Sequence, residues 1–171
     1  MLKLIKSRRS IRKYKEKIPS DKEIKKILEA GRWAPSGLNN QPWRFLVIKE
    51  KEIKEKIAGF SKYGYIIKNT GVIIVVFLDK KRSYHYQKDI MAIGACIQNM
   101  LLQAHSLGLG ACWLGEILNK RKEIEQLLNI DKNLELMALI SLGYPKEKSS
   151  SFRLPLKDLL IRPFSLLKSS F

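Results

Sequence analysis

An unbroken run of apolar residues, GVIIVVFL at positions 71–78, constrains the fold of this chain more than any other feature. Val, Ile and Phe favour extended backbone. A strand with one solvated face alternates apolar and polar residues, whereas this run does not alternate. The sequence therefore predicts a strand at 71–78 that is covered on both faces and lies at the centre of the fold.

Weaker patterns predict the other elements. A short first helix ends near Ser7, and a second helix runs from about 21 to 33, where Ser20 and Glu23 form a capping box before apolar residues at helical spacing. Further helices are predicted at 50–58, with the lysine side exposed, at 86–107 and at 121–128. Strands are predicted at 43–48, 109–114 and 134–142.

The predicted helix at 86–107 carries information about assembly. It is rich in Ala, Ile, Met and Leu, has no wide charged face, and is followed by Gly108, a residue type that often ends helices. A helix of this composition is buried nearly all round. In so small a protein that burial requires either a sheet on one side and a second subunit on the other, or an unusually thick core. We favour the second subunit.

Length and composition fit one globular domain over residues 1–171, with 45% hydrophobic content. No apolar run reaches the roughly 18–20 residues that a bilayer requires, and no signal-peptide core follows the basic N-terminus, so we expect a cytoplasmic protein that does not span a membrane. Cys96 and Cys112 are too few and too far apart for a disulfide framework and are expected to be buried thiols. With only His85 and His105 available, no metal site is predicted.

The formal net charge of +17 favours a polyanionic partner such as nucleic acid. Many lysines, however, stand beside glutamate on predicted helices, as in KEIKKILEAGR, which is typical of solvated helical faces. No basic run is interleaved with aromatic residues, and no groove-recognition motif is present. We expect no specific nucleic-acid partner, and a basic module that binds nucleic acid through charge alone stays as a rival hypothesis.

Several enzyme classes lack their defining residues in this sequence. Gly108 and Gly110 follow a predicted helix and precede a strand, whereas a dinucleotide fingerprint follows a strand and opens a helix. A phosphate-binding GxxxxGK[ST] loop, a GxSxG elbow and an HExxH helix are all missing. A chain with so few candidate acids, bases and nucleophiles can still be an enzyme if a bound cofactor performs the chemistry.

Two polar segments are candidates for a cofactor site. Residues 7–12, SRRSIR, combine three arginines with two serines, and guanidinium groups suit bidentate contact with phosphate. A solvated basic end is the plain alternative. In residues 32–48, RWAPSGLNNQPWRFLVI, hydroxyl and amide side chains fill the turn before the first strand. Pro, Ser, Gly and Asn are also ordinary turn residues, so this composition alone fits a structural turn.

Four segments, RRSIRKY, APSGLNNQPWRF, GLGACWLGEI and FRLPL, occur in an order that resembles the FMN-dependent nitroreductase family, over residues 4 to about 156. The PSxxNxQPW element is among the more distinctive pieces of that family. The resemblance implies an α+β fold with a central mixed, mostly antiparallel sheet flanked by helices. It also implies an intertwined homodimer with FMN at the subunit interface, in which a C-terminal arm, residues 156–171, wraps the partner subunit.

The resemblance assigns no catalytic side chain and implies a set of FMN-binding residues. One group matches positions at the phosphate and ribityl end, namely Arg8, Arg9, Ser10 and the late Arg153. Arg12 matches a basic residue near the pyrimidine side, where a cation opposes the negative charge that reduction leaves on the ring. From the other subunit, the ring and ribityl edges would be lined by Pro35, Ser36, Gly37, Asn39 and Gln41. The segment that passes flavin N5 and O4 matches Trp113, Leu114, Gly115 and Glu116, where a residue without Cβ lets the backbone approach the ring.

The implied activity is oxidoreduction by alternate half-reactions. NADH or NADPH would deliver a hydride to flavin N5, and a nitroaromatic compound, a quinone or another small electrophile would then take two electrons. A reductive dehalogenase-like reaction, or other FMN chemistry of the same superfamily, is the alternative. Gly37 stands where many relatives have a second hydroxyl residue, and Ser151 stands where some have a lysine. These departures predict weaker binding of the FMN phosphate.

Overall fold

A four-stranded antiparallel sheet forms the centre of the protein. The structure, a computed structural model, describes residues 1–162. The sheet has the order β1-β2-β4-β3, from β1 (Trp43–Ile48), β2 (Val72–Asp79), β3 (Gly110–Leu114) and β4 (Leu134–Gly143). Each strand predicted from the sequence is confirmed to within one residue at either end. The α+β fold class is confirmed as well.

Within residues 1–162, helices flank the sheet on both sides. They are α1 (Leu2–Ser7), α2 (Asp21–Arg32), α3 (Lys51–Ala58), α4 (Gly64–Asn69), α5 (Tyr86–Ser106) and α6 (Arg121–Leu127). Helix α2 begins at the predicted capping box, because the Ser20 hydroxyl accepts from the backbone of Glu23 and the Glu23 carboxylate accepts from that of Ser20. Helix α4 was not predicted, since its six residues carry no side-chain cap and adjoin the apolar strand.

Strand β2 is buried along its whole length because the helices cover both of its faces. Its even-numbered residues from Val72 to Leu78 pack in one apolar cluster with residues of α2 and α5. Its odd-numbered residues from Ile73 to Phe77 pack in a second cluster with residues of α3, α4 and α6. The unbroken apolar run therefore reflects a strand with no solvated face, as predicted.

Helix α5 is buried on one face within the described chain. One face is buried and includes Ile93, Ile97 and Met100. The opposite face is open within the described residues of this chain, and Met91 on it is 74% exposed. Within a single chain the helix is therefore buried on one side, and the open face is available to the second subunit that the sequence analysis favoured.

The N-terminal segment after α1 runs along the outer edge of β3. Ser10 pairs with Ala111 in a parallel bridge, and this contact is the parallel element of an otherwise antiparallel sheet. Further along, the hydroxyls of Tyr14 and Ser141 lie 2.7 Å apart in the interior, and burial raises the pKa of the Tyr14 phenol. These contacts fix the basic residues of the segment beside the end of the sheet.

Two other expectations can be compared with the structure. Cys96 and Cys112 are buried free thiols, as predicted. The lysine side of α3 is not wholly exposed, because Lys54 is buried and its ammonium group donates to the carbonyls of Thr70 at 2.7 Å and Gly71 at 3.3 Å. Within residues 1–162, no helix combines the length and the apolar composition needed to cross a membrane. The predicted arm at 156–171 lies outside the described residues from residue 163 onward.

Candidate functional site

The basic segment 8–12 is held in an extended conformation by backbone contacts, which leaves most of its side chains free to bind. Helix α1 ends at Ser7, and Arg8 is already extended. The backbone N–H of Ile11 donates to the carbonyl of Ala111 at 3.1 Å. On the other side of the segment, the carboxylate of Glu147 accepts from the backbone N–H of Arg12 at 2.6 Å. The guanidinium group of Arg9 donates back to the end of the helix.

Arginines from the two ends of the described chain meet in one cavity of about 320 Å³. Of the residues named from the sequence, it brings together Arg8, Arg9, Ser10, Arg12 and Arg153. A neighbouring cavity of about 590 Å³ is also lined by Arg8, Arg9 and Arg153. The convergence of Arg8 with Arg153, which are separated by most of the sequence, is a property of the fold rather than of a basic terminus.

The guanidinium groups that line this cavity form no ion pair in the described part of the chain. Among residues 1–162, no carboxylate lies within 4 Å of the guanidinium groups of Arg8, Arg9, Arg12 or Arg153. Burial, Arg153 and Arg9 together lower the pKa of Arg8, which is the response expected of a cation crowded by like charges. An anion in the cavity would relieve this repulsion.

Three consecutive serines complete the lining of the same cavity. Ser149, Ser150 and Ser151 lie beside the arginines, and the Ser151 hydroxyl accepts from Arg153 at 2.9 Å. The sequence analysis named only Ser151, as a departure from the family pattern that predicts weaker phosphate binding. Ser149 and Ser150 belong to a run of hydroxyl residues shortly before Arg153, and such a run is equally typical of a solvated polar tail.

The polar turn before β1 is strained. Leu38, Asn39 and Gln41 all adopt left-handed backbone conformations, with φ of 52°, 51° and 48°, and none of them is glycine. The Ser36 hydroxyl accepts from the backbone N–H of Gln41 at 3.0 Å and closes the turn. Strain of this kind persists only where the surroundings over-determine it, and it clusters at functional sites.

A buried carboxylate that the sequence analysis did not name supports this turn. Asp89, at the start of α5, accepts from Asn40 Nδ2 at 2.7 Å and from the Ser83 hydroxyl at 2.7 Å. It also accepts from the backbone N–H groups of Tyr84 and His85. Burial raises the pKa of Asp89, and these donors lower it by more, so that the carboxylate stays ionised. Asp89 thus ties the turn to the segment before α5.

Within one chain the turn does not share the arginine cavity. Pro35 is exposed and Ser36 and Gly37 are partly buried, whereas Gln41 faces a separate cavity of about 650 Å³ with Arg44 and Arg82. The resemblance implied that this turn reaches the cofactor from the other subunit. The single chain accordingly brings together the phosphate-end residues and leaves the turn residues apart from them.

The end of β3 contributes a third surface. Trp113 is 44% exposed, while the side chain of Leu114 is buried, so that Leu114 can offer only its backbone. A Cβ atom at Gly115 would find only the Trp113 ring nitrogen, 3.8 Å away, and the backbone there is open to a ligand. The Glu116 carboxylate accepts from the Ser61 hydroxyl at 2.6 Å, which holds it to the loop before α4.

Comparisons with known proteins identify relatives along most of the chain. The sequence model of the nitroreductase family matches residues 5–68 and 61–144. A protein of Archaeoglobus fulgidus with the provisional name NADH dehydrogenase/NAD(P)H nitroreductase is 38% identical over 154 residues, 88% of each chain. A crystal structure from Desulfovibrio desulfuricans, of a provisionally named nitroreductase in complex with FMN, superposes with a TM-score of 0.92 at 48% identity and covers 95% of this chain and 96% of that chain. An iodotyrosine deiodinase of Thermotoga neapolitana is 24% identical over 184 residues, 93% of this chain and 95% of that protein.

Proposed function

The chain belongs to the nitroreductase family, and from that premise we propose that it is an FMN-dependent oxidoreductase that uses NADH or NADPH. The acceptor would be a small electrophile such as a nitroaromatic compound or a quinone. When bound, FMN would accept a hydride at N5 and pass two electrons to that acceptor by alternate half-reactions. The observation that carries the proposal is the cavity in which Arg8 and Arg153 converge without a carboxylate partner.

The donor set of this cavity fits the phosphate of FMN. The guanidinium groups of Arg8, Arg9 and Arg153 and the hydroxyls of Ser10 and Ser149–Ser151 offer charged and neutral donors around one small space. Guanidinium groups bind phosphate oxygens in bidentate fashion, and charge-assisted bonds of this type are about twice as strong as neutral ones. The open backbone at Gly115 fits the approach of a flat ring, since no side chain occupies that space within the described residues.

The protein's residues would bind and orient rather than transfer protons. Arg8, Arg9 and Arg153 would hold the phosphate end, and Arg12 would place a positive charge near the pyrimidine side of the ring. The backbone of Leu114–Glu116 would lie beside the reactive edge. The turn residues Pro35, Ser36, Gly37, Asn39 and Gln41 would reach the ring and ribityl edges from the partner subunit. Placement and electrostatic stabilisation of this kind are what a protein adds to a cofactor's own chemistry.

An intertwined homodimer would complete the site. Three features of the single chain support this part of the proposal. The outer edge of β1 carries no strand partner within residues 1–162, and such an edge needs a cover. The open face of α5 exposes Met91. The tail exposes large apolar side chains at Phe152, Leu154, Leu156, Leu159 and Ile161. We propose that the arm from 156 onward covers the partner, that residues 1–171 form one domain, and that the protein is cytoplasmic.

A dehalogenase-like reaction is the second candidate. The iodotyrosine deiodinase of Thermotoga neapolitana matches almost the whole chain. Such an enzyme would share the FMN site and differ in the acceptor, so that assays with nitroaromatic compounds, quinones and halogenated phenols separate the two. The nucleic-acid hypothesis is separated by a different result, namely flavin-free protein that shifts DNA or RNA at physiological salt.

One spectroscopic experiment tests the proposal. Purified protein, reconstituted with FMN where needed, should show the yellow flavin spectrum and should bleach anaerobically on addition of NADH or NADPH. Arg8→Ala and Arg153→Ala should each raise the dissociation constant for FMN about 10- to 100-fold, because each removes a charge-assisted bond. Lys26→Ala, which changes an exposed lysine on α2, is the charge-matched control and should leave the constant unchanged. Colourless protein that cannot be reconstituted would contradict the proposal.

A further inference from the structure

The side chain of Tyr84 occupies the space that a side chain at residue 37 would fill. A Cβ atom built on Gly37 would lie 1.8 Å from the Tyr84 hydroxyl oxygen and 2.6 Å from Cζ. Both atoms lie at the outer end of the Tyr84 side chain, so any residue larger than glycine at 37 would require the phenol to move. The strained turn is therefore built around the tip of Tyr84, which comes from a different part of the sequence.

The position of Tyr84 is fixed by its backbone rather than by its hydroxyl. Its N–H donates to the buried carboxylate of Asp89 at 3.1 Å, and the same carboxylate accepts from Asn40 in the turn. One anchor thus sets the spacing between Tyr84 and the turn. The Lys88 ammonium lies 5.5 Å from the centre of the phenol ring on the adjoining turn of α5.

The Tyr84 hydroxyl is free to bind a ligand. Across residues 1–162 it makes no hydrogen bond to protein, and the residue is 43% exposed. A phenol can donate one hydrogen bond and accept another. It lies against Gly37, in the turn whose residues Ser36, Asn39 and Gln41 we assign to the ring and ribityl edges of FMN.

We propose that Tyr84 is an FMN-binding residue whose hydroxyl completes the polar lining of the turn at the place where Gly37 provides none. This proposal rests on the proposed function. It gives the flavin a hydrogen-bonding partner on a segment that neither the PSxxNxQPW element nor the arginine cavity includes. It also explains why residue 37 is a glycine, since a residue without a side chain leaves room for the phenol.

Fluorescence titration of apoprotein with FMN tests the assignment. Tyr84→Phe removes one oxygen atom and keeps the ring, and it should raise the dissociation constant about threefold to tenfold, the effect of one neutral hydrogen bond. The thermal midpoint of the apoprotein should not change, because the hydroxyl has no protein partner to lose. Tyr65→Phe, at another exposed tyrosine without a hydroxyl partner in the described chain, is the matched control and should change neither quantity.

A double variant at these two positions gives a second test, because a folding defect would not restore FMN binding. Gly37→Ser alone should move the Tyr84 phenol away from the turn, because the new Cβ would overlap the hydroxyl. Tyr84→Ala should weaken FMN binding, and Gly37→Ser combined with Tyr84→Ala should recover part of it, because the serine hydroxyl then occupies the vacated space. The assignment is overturned if Tyr84→Phe binds FMN like the wild type or if the double variant binds no better than Tyr84→Ala. Wild-type protein that gives no FMN titration overturns the proposed function itself, and this proposal with it.

Discussion

Replacing Asp89 with asparagine tests whether one buried carboxylate holds the strained turn in place. The residue has no exposed surface. Its Oδ1 accepts from Asn40 at 2.7 Å, and its Oδ2 accepts from the Ser83 hydroxyl at 2.7 Å and from the N–H groups of Tyr84 at 3.1 Å and His85 at 3.2 Å. Asparagine offers a single acceptor oxygen. If that oxygen keeps the three donors on the segment before α5, the new amino group faces the amino group of Asn40.

The magnitude follows from this mismatch. Asn40 cannot resolve it by turning its amide, because Nδ2 also donates to the carbonyl of Arg82 at 2.9 Å. A hydrogen bond to a charged group contributes about 1.5–3 kcal/mol, and a buried group left without a partner costs about 1–3 kcal/mol. We expect Asp89→Asn to lower the free energy of unfolding by about 2–4 kcal/mol at neutral pH.

Urea denaturation of the apoprotein measures the effect, and its pH dependence identifies the carboxylate as the cause. The pKa of Asp89 is lowered in the folded protein, so the carboxylate stabilises the fold fully above its unfolded pKa of about 3.9. This stabilisation is lost as the pH falls through the folded pKa. The difference in the free energy of unfolding between wild type and variant should therefore be constant above about pH 5 and shrink below about pH 4.

Two controls sharpen this result. Glu16→Gln alters an exposed carboxylate and should change stability by less than about 0.5 kcal/mol. In an Asn40→Ala background the amino groups no longer face each other, so Asp89→Asn should cost about 1 kcal/mol less there. A loss of under about 0.5 kcal/mol in the wild-type background, or a gap that persists unchanged at pH 3, would refute the role assigned to this carboxylate.

Three further substitutions probe the scaffold by urea denaturation. Tyr14→Phe should lower the free energy of unfolding by about 1–3 kcal/mol, because Ser141 loses its buried partner. Lys54→Ala should cost a similar amount, because two carbonyls after α4 lose their donor. Gly31→Ala should destabilise by about 1–3 kcal/mol despite the better helix propensity of alanine, because the new Cβ would lie 2.7 Å from Cγ of the buried Met100. Lys54→Ala and Gly31→Ala should bind FMN like the wild type, and for each of the three variants a stability change below about 0.5 kcal/mol would contradict the contact assigned to it.

The sequence allowed most of the secondary structure to be predicted, for a simple reason. The run at 71–78 has no polar residue, and only a strand covered on both faces tolerates that pattern. The capping box at Ser20 and Glu23 likewise acts within four residues and can be recognised locally. Helix α4 escaped prediction because a six-residue helix without a cap is decided by packing against the sheet rather than by its own residues.

The site was predictable only where its residues lie in distinctive segments. Arg8 and Arg153 could be paired through the resemblance, and the structure places them in one cavity. Ser149 and Ser150 could not, since hydroxyl residues in a tail have no pattern that distinguishes binding from solvation. Asp89 and Tyr84 were missed because their roles depend on contacts with residues more than 40 positions away, which no local spacing records.

The buried contacts that hold the strained turn should also affect FMN binding. Three left-handed residues that are not glycine cost on the order of 1–3 kcal/mol each, so the turn depends on contacts that hold it in this conformation. The contacts that hold them run from Asn40 to Asp89 and on to the backbone of Tyr84, all within the protein. Because these contacts are made by the protein itself, they would lower the cost of ordering the turn when FMN binds. It follows that Asp89→Asn, which releases this support, should weaken FMN binding as well as stability, although the buried Asp89 is not among the residues that we assign to FMN.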